Sequence, residues 1–221
     1  MLLSLRRLTL KLEGIGQGAS RINRSSSSSS SQHLKNLENV EHLDLTIGQA
    51  VEEFPFPRFP FPQLRLRQLQ IDYSKGLREL PETITLLQHL TSLDVEYASQ
   101  LASLPDGIGA LSRLRSLRLS HCSALQHLPT SLTRLTSLHE LNAEGTGISA
   151  PPPNFAQLSR LRGLCLGECK QLQVLPADLT DLKMLRFLGV KGSELAIDSV
   201  GEEQERGFQG MYDLRTDVAG E

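Results

Sequence analysis

Apolar and polar residues alternate along this chain in a pattern that repeats as a unit. The stretch from Leu104 to Pro129 reads LPDGIGALSRLRSLRLSHCSALQHLP, and its apolar positions follow LxxLxLxxCxxLxxL. This spacing predicts a short strand with inward leucines, a turn through a buried cysteine and a return segment on the opposite side. One such unit cannot bury its own leucines, so we expect neighbouring copies to stack on one another.

The unit recurs at a nearly constant interval. From Leu66 to Leu185 the first leucines of successive strands are separated by 24, 24, 24, 23 and 24 residues. Weaker matches begin at Leu5 and Val40. The chain is therefore predicted to form an open solenoid of about eight layers with a parallel sheet on its concave side.

The return segments repeat as well, for example LPETITLLQHL, LPTSLTRLTSL and LPADLTDLKML. Proline at the first position of a helical turn, with Glu82, Asp106 or Asp178 close behind, favours a helix start, where N–H groups lack partners and negative charge is stabilised. We expect a helix of one to three turns, or a 3₁₀ segment, on the convex side of each layer. The fold class is therefore α/β.

The repeating pattern sets the domain boundaries. Residues 1–193 form the repeat domain, interrupted by a Gly/Ser-rich insertion loop at 13–33 and an irregular Pro/Phe-rich segment at 49–63. Residues 194–221 carry no further copy of the pattern, and their acidic, glycine-containing composition is typical of a loose cap or a disordered tail.

The repeats resemble leucine-rich repeats of the plant immune-receptor type. Their usual consensus is LPxxIxxLxxLxxLxLxxCxxLxxLP, and a variant has GT in the cysteine region. In this chain the two forms are LPDGIGALSRLRSLRLSHCSALQHLP and LPTSLTRLTSLHELNAEGTGISAPP. The spacing is also similar to that of bacterial type III effectors that act in plant cells. The resemblance covers about residues 64–190, with weaker support from Val40. It implies a horseshoe-shaped leucine-rich-repeat solenoid.

What the resemblance implies about function is protein binding, in plant immunity or its subversion. The sequence contains no P-loop, nucleotide-binding segment or ligase domain, so receptor signalling and ubiquitin transfer are not carried over. The alternative is a fragment or relative of a multidomain immune receptor or ubiquitin-ligase effector whose signalling or enzymatic domain lies elsewhere.

Composition narrows the class of partner. A formal net charge of -2 favours neither nucleic acid nor membrane, and no apolar run is long enough for a membrane span. The apolar run in MLLSLRRLTLKLEG is too short for a signal peptide, and three cysteines form no disulfide framework. We expect a cytoplasmic protein, in the host cytoplasm if it is a secreted effector. No catalytic or metal-binding motif is found, so we expect no enzymatic activity, cofactor or metal.

The concave face is the first candidate site. Since neighbouring strands lie about 4.8 Å apart, Tyr73 and Tyr97 are expected to stand side by side among acidic residues. Aromatic residues combined with charge are typical of interface hot spots, which suggests a protein partner with a basic surface. The predicted residues are Asp72, Tyr73, Asp94, Glu96, Tyr97, Arg118, His121, Glu140, Asn142 and Glu144. Alternatively these are solvated residues of an exposed sheet, with Arg118 and His121 paired to Asp94 or Glu96.

Arginines that flank the first leucine of each strand form a second, weaker candidate. They are expected along one rim of the solenoid and are Arg65, Arg67, Arg113, Arg115, Arg160 and Arg162. They could contact an acidic partner or phosphate, or their stems could cover leucines while their charged groups remain in water.

The three cysteines take two different positions in the repeat. Cys122 and Cys169 fall at the turn, where a buried structural role is expected. Cys165 falls on the concave face, where its thiol could be reactive, but nothing basic adjoins it in the sequence and we expect an inert thiol.

Overall fold

The computed structural model describes residues 6–12, 40–47, 65–193 and 195. These residues contain eight strands: β1 (Arg7–Leu12), β2 (His42–Ile47), β3 (Gln68–Asp72), β4 (Ser92–Asp94), β5 (Ser116–Arg118), β6 (Glu140–Asn142), β7 (Gly163–Cys165) and β8 (Phe187–Gly189). They also contain five 3₁₀ helices, at Glu82–Leu86, Ile108–Ala110, Thr130–Arg134, Phe155–Gln157 and Leu179–Asp181. The expected return segments are thus short 3₁₀ turns.

All strand pairs are parallel, and the strands follow one another in chain order from β1 to β8. The pairing is in register, so that the central leucine of every strand lies beside that of the next. These leucines are Leu8, Leu43, Leu69, Leu93, Leu117, Leu141, Leu164 and Leu188. The predicted open parallel solenoid is confirmed.

The core is a continuous stack of apolar side chains between the sheet and the 3₁₀ helices. Each 3₁₀ helix contributes one buried apolar residue at an equivalent position, namely Ile84, Ile108, Leu132, Phe155 and Leu179. Because each layer contributes the same few positions, apolar burial is shared almost evenly along the described repeats.

The turns after β5, β6 and β7 are each closed by a small buried side chain that donates to a backbone carbonyl. Cys122 Sγ lies 3.0 Å from the Val95 oxygen, and Cys169 Sγ lies 3.1 Å from the Ala143 oxygen. In the GT variant of the repeat, Thr146 occupies this position and its hydroxyl donates to Ala143, at 2.7 Å. Burial raises the pKa of the Cys122 thiol to about 12. The buried structural role predicted for Cys122 and Cys169 is confirmed.

The acidic residues near the helix starts link neighbouring layers. The Glu82 carboxylate accepts a 2.7 Å hydrogen bond from the backbone N–H of Gly107, in the following layer. Asp178 accepts one of 2.9 Å from the N–H of Ala156, in the preceding layer. Glu82 lies in the first turn of its 3₁₀ helix and Asp178 at the start of another, as expected, but neither carboxylate forms a side-chain cap there. The negative charge instead stabilises an adjacent turn.

Several predicted segments lie outside the described residues. These are the insertion loop at 13–33, the Pro/Phe-rich segment at 49–63 and, apart from Leu195, the tail at 194–221. Leu195 packs against the core. No helix within the described ranges is long and apolar enough to cross a membrane.

Candidate partner-binding surface

A backbone feature positions one side chain per layer just beyond each strand. From β3 onward this residue has a positive φ, with values of 57°, 58°, 61°, 67°, 55° and 77° at Tyr73, Tyr97, His121, Gly145, Glu168 and Gly192. Residues other than glycine rarely adopt this left-handed conformation, which is unfavourable for them. The turn into the return segment imposes it in each of these layers.

Backbone hydrogen bonds carry the parallel pairing past the strands and through these turns. The N–H of Tyr97 donates to the Ser120 oxygen at 2.9 Å, and that of His121 donates to the Glu144 oxygen at 2.7 Å. The left-handed residues of neighbouring layers are thereby held at about the strand spacing of 4.7–4.9 Å. That spacing suits the stacking of flat side chains.

Three aromatic rings stack on one another at this spacing. The ring centroids of Tyr73 and Tyr97 are 4.7 Å apart with 1° between the ring planes. Those of Tyr97 and His121 are also 4.7 Å apart, with 22° between the planes. We call Tyr73, Tyr97 and His121 the aromatic ladder. The expectation that the two tyrosines stand side by side is confirmed, and both are exposed, Tyr73 by 57% and Tyr97 by 37%.

The stacking of His121 was missed at the sequence level, where this residue was considered as a partner of Asp94 or Glu96. Its position was available from the repeat, because His121 follows Tyr97 by the same 24 residues that separate the two tyrosines. The imidazole therefore extends the ladder by one layer.

A glycine ends the ladder. The next left-handed position is Gly145, and a Cβ atom there would lie 2.6 Å from Nδ1 of His121. The imidazole thus occupies space that any larger residue would need. Gly145 was not among the predicted site residues, although the GT variant of the repeat marks it.

Carboxylates border the ladder on the concave face. Burial raises the pKa of Asp94 above 3.8, with Asp72 and Glu140 adding to the effect and Arg118 opposing it. Burial is also the main cause of the raised pKa of Glu96 above 4.5, followed by the charge of Asp72. Negative charge is therefore only partly neutralised here.

One carboxylate oxygen of Asp72 accepts a hydrogen bond from the described part of the chain and the other does not. Its Oδ2 accepts a hydrogen bond from the side-chain amide of Gln70. Its Oδ1 is buried, and none of the residues described donates to it. A buried carboxylate oxygen without a donor is unfavourable.

The remaining predicted concave residues have partners of their own. Arg118 Nη2 lies 3.9 Å from Glu140 Oε2, across from β5 to β6. The amide oxygen of Asn142 accepts a 3.1 Å bond from the N–H of Glu144. Glu96, Arg118, Glu140 and Asn142 line a cleft of about 500 Å³ that also reaches Arg162 and Phe187.

Cys165 is enclosed, in agreement with the expectation of an inert thiol. It lies in β7 on the concave face, as expected, but only 7% of its surface is exposed. Its Sγ lies 3.7 Å from Glu144 Oε2, and a Cβ atom added to Gly189 would be 3.1 Å from the sulfur. The thiol fills the space left by the neighbouring glycine, which removes it as an accessible nucleophile. Within the described ranges, no three His, Cys, Asp or Glu side chains could hold a metal.

The rim arginines line more than one surface. Arg67 and Arg115 lie in a cleft of about 550 Å³ with Asp94, Arg118 and Glu140. Arg67, Arg113, Arg115 and Arg160 line one groove of about 370 Å³ at the N-terminal ends of the strands. Arg162 lines the concave cleft instead. Arg65, from the same predicted rim, is exposed and lines none of these three cavities.

No protein-family model matches the chain, and a search of curated proteins finds no match. Among solved structures, 161 chains match. The leucine-rich repeat domain of the type III effector XopL has a TM-score of 0.53 and 23% identity, over 71% of this chain and 62% of that one. The plant peptide hormone receptor RGFR1, in complex with RGF2, has a TM-score of 0.58 and 21% identity. That match covers 88% of this chain and 33% of the receptor.

A third match is the Arabidopsis receptor kinase HAESA, in complex with the peptide hormone IDA and the co-receptor SERK1. Its TM-score is 0.50 at 19% identity, over 74% of this chain and 28% of that one. The chain thus spans less than two thirds of each of these three proteins. At these identities the likeness establishes the fold.

Replacing Gly145 with alanine tests how tightly the ladder is constrained. The added Cβ meets the His121 ring, and alanine disfavours the φ of +67°. We expect the free energy of unfolding to fall by about 1–2 kcal/mol in urea denaturation. Gly163→Ala is the matched control, since its nearest atom, Glu140 Cγ, is 4.0 Å away. Equal stability of the two variants would contradict the packing described for Gly145.

The raised pKa of Asp94 predicts a pH-dependent stability. A carboxyl whose pKa is higher in the folded than in the unfolded state destabilises the fold once it is ionised, and has no such effect below both pKa values. Asp94→Asn should therefore raise the melting temperature at pH 7, and the gain should vanish as pH falls below 3.8. Circular dichroism melts at both pH values measure this. Asp106→Asn, at an exposed carboxylate away from this face, is the control. A lower melting temperature for Asp94→Asn at pH 7 would refute the prediction.

Proposed function

We propose that this leucine-rich repeat solenoid is a protein-recognition scaffold whose concave face binds an arginine-presenting surface of a protein partner. The observation that carries the proposal is the exposed stack of Tyr73 and Tyr97, bordered by carboxylates whose pKa values are raised. A guanidinium group binds both to aromatic rings and to partly desolvated carboxylates, and the two lie side by side on this face.

Arginine suits this surface better than lysine on physical grounds. Its planar guanidinium stacks on aromatic faces and pairs with carboxylates through two parallel hydrogen bonds. The ring of Tyr73 is exposed, and Asp72 precedes it in the chain and adds negative charge near Asp94 and Glu96. An arginine from a partner would stack on the tyrosine and pair with the carboxylates of this face.

The ladder is held in place before any partner arrives. Interlayer hydrogen bonds fix the backbone of Tyr97 and His121, and the stacked rings restrict one another. Binding therefore orders few additional side chains, which reduces the entropy lost on association. Binding, and not catalysis, is the function that we assign to this chain.

The biological setting that we propose is a plant cell, with this chain acting in immunity or in its subversion from the cytoplasm. The similarity to the XopL repeat domain and to plant receptors supports this setting. The RGFR1 and HAESA structures are complexes with RGF2 and with the peptide hormone IDA, which also favours a protein or peptide partner. The alternative role is as the recognition part of a larger receptor or effector.

Affinity capture from plant leaf extract, followed by titration of the enriched partner, tests the proposal. We expect Tyr73→Ala to raise the dissociation constant about tenfold, as truncation of an aromatic hot spot does. Because Tyr73 is 57% exposed, this change should leave folding intact. Leu86→Ala, which removes a 65% exposed apolar side chain from a 3₁₀ helix on the other side of the layer, is the matched control.

Acidification supplies a second readout of the same complex. A cationic partner favours the ionised forms of Asp94 and Glu96, so affinity should fall as pH drops toward 4.5 and below, where these groups take up protons. The proposal fails if capture and affinity are the same for wild type, Tyr73→Ala and Tyr97→Ala. It also fails if the partner's arginines can be changed to lysine without effect.

A further inference from the structure

The opposite ends of the same strands carry positive charge in two rows. The two positions that flank the first leucine of each layer are occupied by arginine in the layers of β3, β5 and β7. The intervening layers carry His89 with Thr91 and Ser137 with His139. From residue 65 to residue 162, neither row contains an aspartate or a glutamate.

The groove between these rows has a basic lining. Its charged and imidazole side chains are Arg67, His89, Arg113, Arg115 and Arg160. The hydroxyl residues Thr91 and Ser137 complete the lining, which encloses about 370 Å³. We call this surface the arginine groove. It crosses the layers of β3 to β7, so it is about 19 Å long at about 4.8 Å per layer.

Few carboxylates in the described part of the chain form ion pairs with the arginines of the groove. At one end, Glu41 Oε2 lies 3.6 Å from Nε of Arg67, which shows how a carboxylate pairs there. Farther along, Arg113 Nη1 lies 3.2 Å from Nδ1 of His89. Among the residues described, Arg113, Arg115 and Arg160 form no ion pair with a carboxylate. Their charge is therefore available to an external anion.

The backbone fixes the interval between the arginines. The Arg67 oxygen accepts hydrogen bonds from the N–H groups of Thr91 and Ser92, and the Thr91 oxygen accepts from those of Arg115 and Ser116. Each step advances one layer, so Arg67 and Arg115 lie two layers, or about 10 Å, apart. Three residues of chain in the extended polyproline II conformation, at about 3.1 Å each, span nearly the same distance and bring every third side chain to the same face.

From this geometry we infer that the arginine groove binds an acidic segment of a protein partner, lying extended along the solenoid with a carboxylate at about every third residue. Because the groove is long, its arginines are spread along it and do not converge on a single anion. Single-stranded nucleic acid binding combines basic grooves with stacking on aromatic side chains, and the groove lining includes no Phe, Tyr or Trp.

This surface adjoins the concave face, since Arg67 and Arg115 also line a cleft of about 550 Å³ with Asp94, Arg118 and Glu140. The groove precedes the strands, whereas the aromatic ladder follows them, and the five residues of β3 separate Arg67 from Tyr73. At about 3.3 Å per residue, Arg67 and Tyr73 are about 20 Å apart along the strand. The solenoid is thus basic at one end of its strands and acidic at the other. A partner with complementary charges at both ends would dock in one orientation.

Fluorescence anisotropy with two labelled nine-residue peptides tests the inference on the full chain. One peptide is ESSESSESS, and the other has the same composition with its three glutamates consecutive. We expect the spaced peptide to bind more tightly and to weaken with added salt. Arg115→Gln should raise its dissociation constant about three- to tenfold, the range for loss of one charge-assisted contact.

Arg134→Gln is the matched control, because it removes the same charge from an exposed position on a 3₁₀ helix outside the groove. Circular dichroism establishes that both variants fold. An equal loss of affinity in Arg134→Gln, or equal binding of the two peptides, would overturn the inference. So would tighter binding of a nine-nucleotide oligouridine that Arg115→Gln abolishes. Tyr73→Ala should leave peptide binding unchanged, which separates this test from that of the concave face.

Discussion

Every functional surface described for this protein depends on one interaction, the parallel in-register hydrogen bonding of each layer to the next. The carbonyl of Arg67 accepts the N–H groups of Thr91 and Ser92, at 2.7 and 3.0 Å, and this arrangement repeats one layer later. Because this bonding continues beyond the strands, both strand ends are held at the same spacing. Any side chain that recurs in the repeat therefore becomes a row across the solenoid.

The chemistry of each row follows from which residues occupy it. The leucine positions build the core, and the small donors Cys122, Thr146 and Cys169 close the turns without leaving buried carbonyls unsatisfied. At the left-handed position the repeat accepts tyrosine and histidine despite their unfavourable φ. Residues kept in unfavourable conformations, together with carboxylates whose pKa is raised by burial, are features that concentrate at functional sites.

The repeat spacing in the sequence was sufficient to predict the layer order, the neighbouring tyrosines and the rim arginines, because in-register pairing converts equal spacing into proximity. It could not predict the depth of Cys165, which depends on Gly189 in the next layer leaving room for sulfur. The spacing also could not show that Glu82 forms a hydrogen bond with Gly107. Whether a side chain bonds within its own turn or to the adjacent turn depends on distances in the folded structure.

The central claim is that the aromatic ladder is already stacked in the free protein. The most direct measurement is the proton NMR shift of the His121 imidazole without any partner. If the ring lies 4.7 Å from that of Tyr97, its carbon-bound protons should resonate upfield of ordinary histidine values and return toward them in Tyr97→Leu. Ordinary shifts in the wild-type protein, unchanged by Tyr97→Leu, would contradict a preformed ladder.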